Sequence, residues 1–256
     1  MIKAVIFDMD GVILDSEPFW KEAEIKIFNS LGVPLTEEMC ETTTGMRLVD
    51  VVKLWHEKYP WNLKENPFEK VGAEIVDSLI ALIKQKGVMN SGVTELLEMF
   101  AAKELPMAIA SSSDKKIIDA VMNKFDISKY FKVIHSAEYE EYGKPHPAIY
   151  LSTAKMLGVA PQDCLAIEDS FNGVISAIAA RMKTAAYPEK TNFYNPKFAI
   201  ADIRFRTLKD FTEAEFKLLN TDLSKSIEQI RTDYLNRNLG GILMVSDGNF
   251  NQGSNP

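Results

Sequence analysis

Residues 2–7 read IKAVIF, apolar at every position but Lys3, and the run stops at Asp8. A strand with one wet face alternates apolar and polar residues. A run without alternation fits a strand buried on both sides, as in a parallel sheet covered by helices on both faces. Four similar short runs recur: PMAIA at 106–110 before Ser111, KVIH at 132–135, CLAI at 164–167 before Glu168 and Asp169, and MKTAAY at 182–187. Between them lie segments with helical spacing. Ile117, Val121 and Met122 share one stripe, Ile149, Tyr150, Ala154 and Leu157 a second, and Val174, Ile175 and Ile178 a third. Alternating strand and helix predicts an α/β fold, a doubly wound, mostly parallel, Rossmann-like sheet. Ligands of such sheets bind beyond the carboxyl ends of the strands.

One stretch breaks the alternation. From about residue 17 to 86 only helical patterns occur. Trp20, Ala23, Ile27 and Leu31 lie on one stripe, and Leu48, Val51, Val52, Trp55 and Tyr59 on another; a long helix is predicted from near 66 to 86, broken at Gly72. Pro34, Gly45 and the turn Pro60-Trp61-Asn62 punctuate them. A helical insert cannot join the sheet, so it is expected as a cap over the sheet's carboxyl edge. The expected layout is a discontinuous α/β core of residues 1–14 and 87–219, a helical cap of 15–86, and an atypical extension of 220–256. One more amphipathic pattern runs over 222–239 in that extension.

Composition removes several alternatives. With 46% hydrophobic and 25% charged residues, the balance is that of a globular protein. A net charge of −7 argues against general nucleic-acid binding. No apolar run approaches the ~18 residues of a membrane span, and Asp8 and Asp10 interrupt the amino-terminal run before any leader cleavage site. Cys40 and Cys164 lie far apart without a CxxC pair, so neither a disulfide framework nor a zinc site is indicated. A cytoplasmic monomer is the expectation.

Four local features bear on chemistry. Asp8-Met9-Asp10-Gly11 follows the first strand, and Gly11 permits the tight turn that would aim both carboxylates at one point. Such a pair repels itself unless a cation or hydrogen-bond donors offset the charge; a solvated loop with two acids is the plain alternative. Glu168 and Asp169 follow another strand, and acids converging there with Asp8 would suit a hard divalent cation, most plausibly Mg²⁺. Acids also favour helix amino termini without any metal. Ser111, Ser112 and Ser113 follow a third strand and could bind an anion, although helix capping by Ser113 or Asp114 explains them as well. Lys144, between Gly143 and Pro145, could aim a fixed positive charge from a stiff loop, where an isolated lysine is ordinarily a solvated surface residue.

Taken together and in chain order, these features resemble the haloacid dehalogenase superfamily of phosphotransferases. DMDGVILDSE matches its first motif, ASSS its second, GKPHP its third and IEDSFNG its fourth. The likeness covers residues 1–219, and the helical insert resembles the family's cap. It implies that Asp8 is the nucleophile and Asp10 the general acid/base. It also implies that Ser111, Ser112 and Lys144 bind phosphate, and that Asp8, the Asp10 carbonyl and Asp169 hold Mg²⁺ with Glu168 supporting through a metal-bound water. Dehalogenases and phosphonatases of the superfamily lack the second acid, so Asp10 points to an alcohol leaving group, that is, a phosphate ester.

DSEPFW, GMR and VVKLWHEKYPWN in the insert, with EDSFNGVISAIAARM after the fourth strand run, are similar to bacterial 2-deoxyglucose-6-phosphate and hexitol-phosphate phosphatases. The likeness implies a small sugar or sugar-alcohol phosphate as substrate. Trp20 could then stack on the sugar, or simply pack inside the cap, and Arg47 could reach a hydroxyl or a second anion, or form a surface ion pair. β-Phosphoglucomutases share the motifs and the cap. They carry His where Trp20 stands and Lys where Asp114 stands, so hydrolysis is favoured over phosphoryl transfer between sugar positions. A non-catalytic sugar-phosphate sensor is the remaining alternative. His56 is expected on an exposed cap-helix face, His135 near a strand end and His146 in the lysine loop, none with metal-ligand spacing.

Overall fold

In the computed structural model of the chain, which describes residues 1–43 and 46–220, the amino-terminal run forms β1 (Ala4–Phe7), buried at every residue. Four further runs become β2 (Met107–Ser111), β3 (Phe131–Ser136), β4 (Cys164–Glu168) and β5 (Lys183–Ala186). A sixth strand, β6 (Ile203–Arg204), was not expected; its two half-buried residues are too few to show a period. The sheet order is β3-β2-β1-β4-β5-β6, parallel throughout. The order reverses between β1 and β4, the position where a doubly wound sheet opens a crevice.

The two faces of the sheet differ in side-chain size. Ala4, Ile6, Ala108, Ala110 and Ala166 face one side, where small side chains let α7 (Ala148–Leu157) and α8 (Phe171–Ala179) approach closely. Val5, Phe7, Met107, Ile109, Leu165 and Ile167 face the other, against α5 (Val93–Ala102) and α6 (Lys115–Phe125). There Phe7 meets Phe100 and Phe131 edge-on, with ring centroids 6.1 and 5.9 Å apart. Each such pair contributes about 0.5–1.5 kcal/mol beyond area burial, so the strand that ends at Asp8 is anchored from below.

Between β1 and α5 the chain forms helices only: α1 (Glu17–Ser30), α2 (Glu37–Glu41), α3 (Leu48–Lys58) and α4 (Phe68–Lys86). α4 packs against α1 and α3, and Ala23, Phe28, Val51, Val52, Trp55, Ile75 and Leu79 fill the space between them. Contrary to expectation, α4 runs through Gly72 without a break. One glycine costs a helix only ~1 kcal/mol, and the packing of Val71, Ile75, Val76, Leu79 and Ile83 outweighs it. Tyr59, placed on the buried stripe by spacing, lies just past the end of α3 and is exposed.

His56 also departs from expectation. It is half-buried, edge-on to Trp61 and Phe68 with centroids 4.7 and 5.2 Å away, because the Pro60–Asn62 turn folds Trp61 back over α3. At the far end, α9 (Glu213–Leu219) starts with a capping box between Thr212 and Glu215. Asn220 Oδ1 then accepts the Ile2 amide at 2.6 Å, tying this end to β1. The helical pattern at 222–239 lies outside the described residues. No helix among the described residues is long and apolar enough to cross a membrane.

Candidate active site

The Asp8 amide donates to Ile167 O at 2.9 Å, so Asp8 stays on the β1–β4 ladder one residue beyond the strand. Its carboxyl is buried at the point where the sheet order reverses. The chain then turns at Gly11, with φ at +73°. A side chain there would meet Asp169 Oδ2 at 1.9 Å, so both the backbone angle and the close approach demand glycine. Asn90 Nδ2 braces the turn by donating to Gly11 O at 2.7 Å and Val12 O at 3.1 Å.

Asp10, on this turn, accepts three hydroxyls: Ser16 at 2.5 Å, Ser113 at 2.7 Å and Ser111 at 3.2 Å. Ser16 and Ser113 are contributors that sequence reasoning missed. Ser113 had a competing explanation as a helix cap, yet α6 takes Asp114 as its N-cap with no side-chain capping bond, and Ser113 holds Asp10 instead. Ser111 is fully buried; its hydroxyl accepts the Ser113 amide at 3.0 Å while donating to Asp10. Ser112 is exposed and lines the cleft.

Lys144 uses all three of its donors: Asp8 Oδ1 at 2.7 Å, Glu168 Oε1 at 2.6 Å and Ala110 O at 3.1 Å. Glu168, the last residue of β4, is fully buried. Tyr150 on α7, also missed in the sequence, donates its hydroxyl to the same Oε1, and Ser170 Oγ lies 3.3 Å from Oε2. Gly173 packs so near that a Cβ would sit 2.0 Å from the Glu168 carboxyl carbon. Ser170 caps α8, accepting the Gly173 amide at 3.0 Å. His135, at the end of β3, pairs with Glu140 at 2.7 Å, and His146 Nδ1 accepts the Ala148 amide at 3.2 Å within the lysine loop.

Charge in this network is unbalanced. Burial lifts the Asp8 carboxyl to about 8; Lys144 opposes that shift, and Glu168 and Asp10 add to it. Asp169 is pushed well above the usual carboxylate range by desolvation first, then by Asp8 and Glu168. Burial alone would lower Lys144, but Asp8 and Glu168 more than reverse this and keep it an ammonium. One ammonium does not neutralise three carboxylates. Asp8, Glu168 and Asp169 each offer an oxygen, all within 4.8 Å of one another. An all-oxygen, anionic donor set fits a hard divalent cation.

The network forms the floor of a cleft of about 1140 Å³ roofed by the inserted helices. Asp8, Asp10, Lys144 and Asp169 line it from the sheet side; Trp20, Glu24 and Arg47 line it from the helices. Trp20 is half-buried. The exposed Arg47 reaches the lysine loop, with Nη2 3.8 Å from where a Gly143 side chain would start. Tertiary structure thus joins Asp8, Asp10, Ser111, Lys144, Glu168 and Asp169 in one network, and places Ser112, Trp20 and Arg47 around the cleft above it.

Residues 2–181 match the model of the haloacid dehalogenase-like hydrolases. The chain is 36% identical over 212 residues to hexitol phosphatase B of Escherichia coli (strain K12), covering 82% of this chain and 95% of that protein. It is 33% identical over 180 residues to a phosphorylated carbohydrates phosphatase of Thermotoga maritima, covering 70% and 82%. Among solved structures, β-phosphoglucomutase from Clostridium difficile superposes with a TM-score of 0.71 at 26% identity, over 90% of this chain and 99% of that one.

Proposed function

Since the chain belongs to the haloacid dehalogenase-like hydrolases, we propose that it is a Mg²⁺-dependent phosphatase of small sugar or sugar-alcohol phosphates. In this reading residues 15–86 are a cap domain over a core of residues 1–14 and 87–219, and the enzyme works in the cytoplasm. The named activities of the two curated relatives support the substrate class.

Asp8 attacks phosphorus, the bond to the ester oxygen breaks, and the phosphoryl group rests on the Asp8 carboxylate. Asp10 gives a proton to the departing alkoxide, then takes one from the water that attacks the aspartyl-phosphate. The hydroxyls of Ser16, Ser111 and Ser113 hold Asp10 in place for both transfers; such acid–base help is worth about 10²–10⁴-fold. Lys144, fixed between Asp8 and Glu168, offsets the negative charge of nucleophile and phosphate together. Ser112, in the loop between β2 and α6, offers a hydroxyl to the phosphate. Asp8, Asp169 and the Asp10 carbonyl, with Glu168 behind them, would hold Mg²⁺, which supplies further charge neutralisation at the phosphoryl oxygens.

One observation carries this reading: a buried acid paired to an ammonium and a second acid held by three hydroxyls sit on a single turn at the cleft floor. A phosphate-release screen over sugar and polyol phosphates, with Mg²⁺ or with EDTA, tests it. Release from hexitol phosphates that stops with EDTA is the expected result; no release from any phosphomonoester overturns it.

A mutase reading draws on the structural likeness to β-phosphoglucomutase. Against it, Asp114 lines the cleft at the position where the mutases carry Lys, and Glu138 adds negative charge beside it that Lys116 offsets only in part. Stimulation of β-glucose 1-phosphate conversion by glucose 1,6-bisphosphate would favour the mutase.

A further inference from the structure

One face of α1 forms part of the roof. Glu17, Trp20, Lys21 and Glu24 fall at i, i+3, i+4 and i+7, and all four line the cleft. Glu24 differs from the rest in being buried, at 9% exposure. A buried carboxyl is ordinarily paired with a cation or several strong donors. Here the Cys40 thiol donates to it, and a thiol is a weak donor. Lys21, the cation on the same face of α1, is engaged with Glu41 at 3.3 Å. Burial, reinforced by the charge of Glu17, pushes the Glu24 carboxyl up to about 7.

Glu24 therefore costs the helical insert stability. Ala23 and Phe28, beside it and one turn on along α1, belong to the buried apolar core, so an apolar side chain of the same size is the ordinary occupant of such a place. The mechanism on the cleft floor does not use it. What remains is its position on the cleft wall, one helical turn from the Trp20 ring. An aromatic face beside a carboxylate suits a polyol: C–H groups pack on the ring and hydroxyls donate to the acid.

Resting on the phosphatase reading above, we propose that Glu24 is a specificity-determining residue whose carboxyl accepts hydrogen bonds from the hydroxyls of the substrate's polyol chain, beside Trp20.

Sorbitol 6-phosphate and p-nitrophenyl phosphate, the latter without a polyol chain, are assayed with the full chain, E24M and E24Q. For E24M the expected result is a KM for sorbitol 6-phosphate raised about tenfold, with kcat/KM for p-nitrophenyl phosphate within about twofold of the unsubstituted chain. E24Q, which keeps one acceptor oxygen, should raise that KM about threefold. Equal KM for sorbitol 6-phosphate in the unsubstituted chain and E24M overturns the proposal, as does a parallel fall on both substrates. If E24M fails to fold, the E24Q comparison decides by the same criterion. An unsubstituted chain that hydrolyses p-nitrophenyl phosphate but no polyol phosphate overturns the substrate class and Glu24's role together. One that hydrolyses sorbitol 6-phosphate while E24M is unaffected overturns Glu24's role alone.

Discussion

On the sheet side of the cleft, Lys144 satisfies three acceptors, Asp10 accepts three hydroxyls, and Glu168 is held by Lys144, Tyr150 and Ser170. On the helical side, Arg47 and Val49 are exposed, Trp20 is half-buried, and Glu24 leans on a thiol. Asp8 and Glu168 sit at strand ends whose backbones are locked into a parallel ladder with helices packed on both faces, and Asp10 and Lys144 reach them from short loops at the same edge. Roof residues project from helices held by apolar packing on one side only. Position is therefore over-determined where bonds must be made and broken, and lightly determined where a substrate must be selected. A floor of this kind can carry one reaction under roofs of different shape.

The contrast can be broken at several points, beginning with the largest effect. Asp8→Asn should lower phosphate release by at least about 10⁴-fold while leaving the thermal melting cooperative. Activity within tenfold of the unsubstituted chain would remove Asp8 as nucleophile. Lys144→Ala leaves Asp8 and Glu168 buried without their shared ammonium, and should destabilise the fold by about 3–5 kcal/mol in urea denaturation. A change below 1 kcal/mol would mean that the floor is no more rigidly held than the roof. Ser113→Ala removes one of the hydroxyls on Asp10. It should reduce kcat several-fold with KM little changed, read from steady-state kinetics at saturating Mg²⁺.

A pH series sharpens the comparison further. The Asp8 carboxyl is raised from 3.8 to about 8, so between those values the folded chain binds a proton that the unfolded chain does not. Its contribution to stability is full below about pH 4 and is lost as pH rises toward 8. A divalent cation favours the deprotonated form, so its stabilising increment should grow across the same window. Melting temperatures with Mg²⁺ and with EDTA at pH 5, 6, 7 and 8 measure this; an increment that shrinks with pH would contradict the assignment. The smallest effect is expected at the roof. Arg47→Ala should shift stability by no more than about 0.5 kcal/mol and raise KM for the sugar phosphate a few-fold without changing kcat.

Local chemistry spoke clearly in some places and not in others. Runs buried on both faces announce themselves as unbroken apolar stretches, so β1, β2 and β4 could be placed from the local pattern alone. β6 has two half-buried residues and no such signature. Asp8, Asp10, Lys144, Glu168 and Asp169 stood out because each lies at or just beyond a strand end or in a stiff loop, and because their motifs, taken together, resemble those of one family. Ser113 was not, since a serine ahead of a helix has an equally good local role. Glu24 was not, since an acid in a helix reads as a solvated face until the partners around it are known. His56 misled for the same reason, its neighbours Trp61 and Phe68 arriving through a turn whose fold the residues do not announce.

Order along the chain, from the apolar strand runs to the acids and lysine that follow them, is written in local periodicity and needs no long-range knowledge. Which donors meet Asp10, which cation balances Asp8 and Glu168, and which acid of the insert ends on the cleft wall are different questions. Those depend on segments such as Asp8 and Lys144, or Asp10 and Ser113, more than a hundred residues apart. Only packing brings them within hydrogen-bond range, because contact between distant segments is a property of the assembled sheet and its helices and leaves no periodic trace in either segment alone.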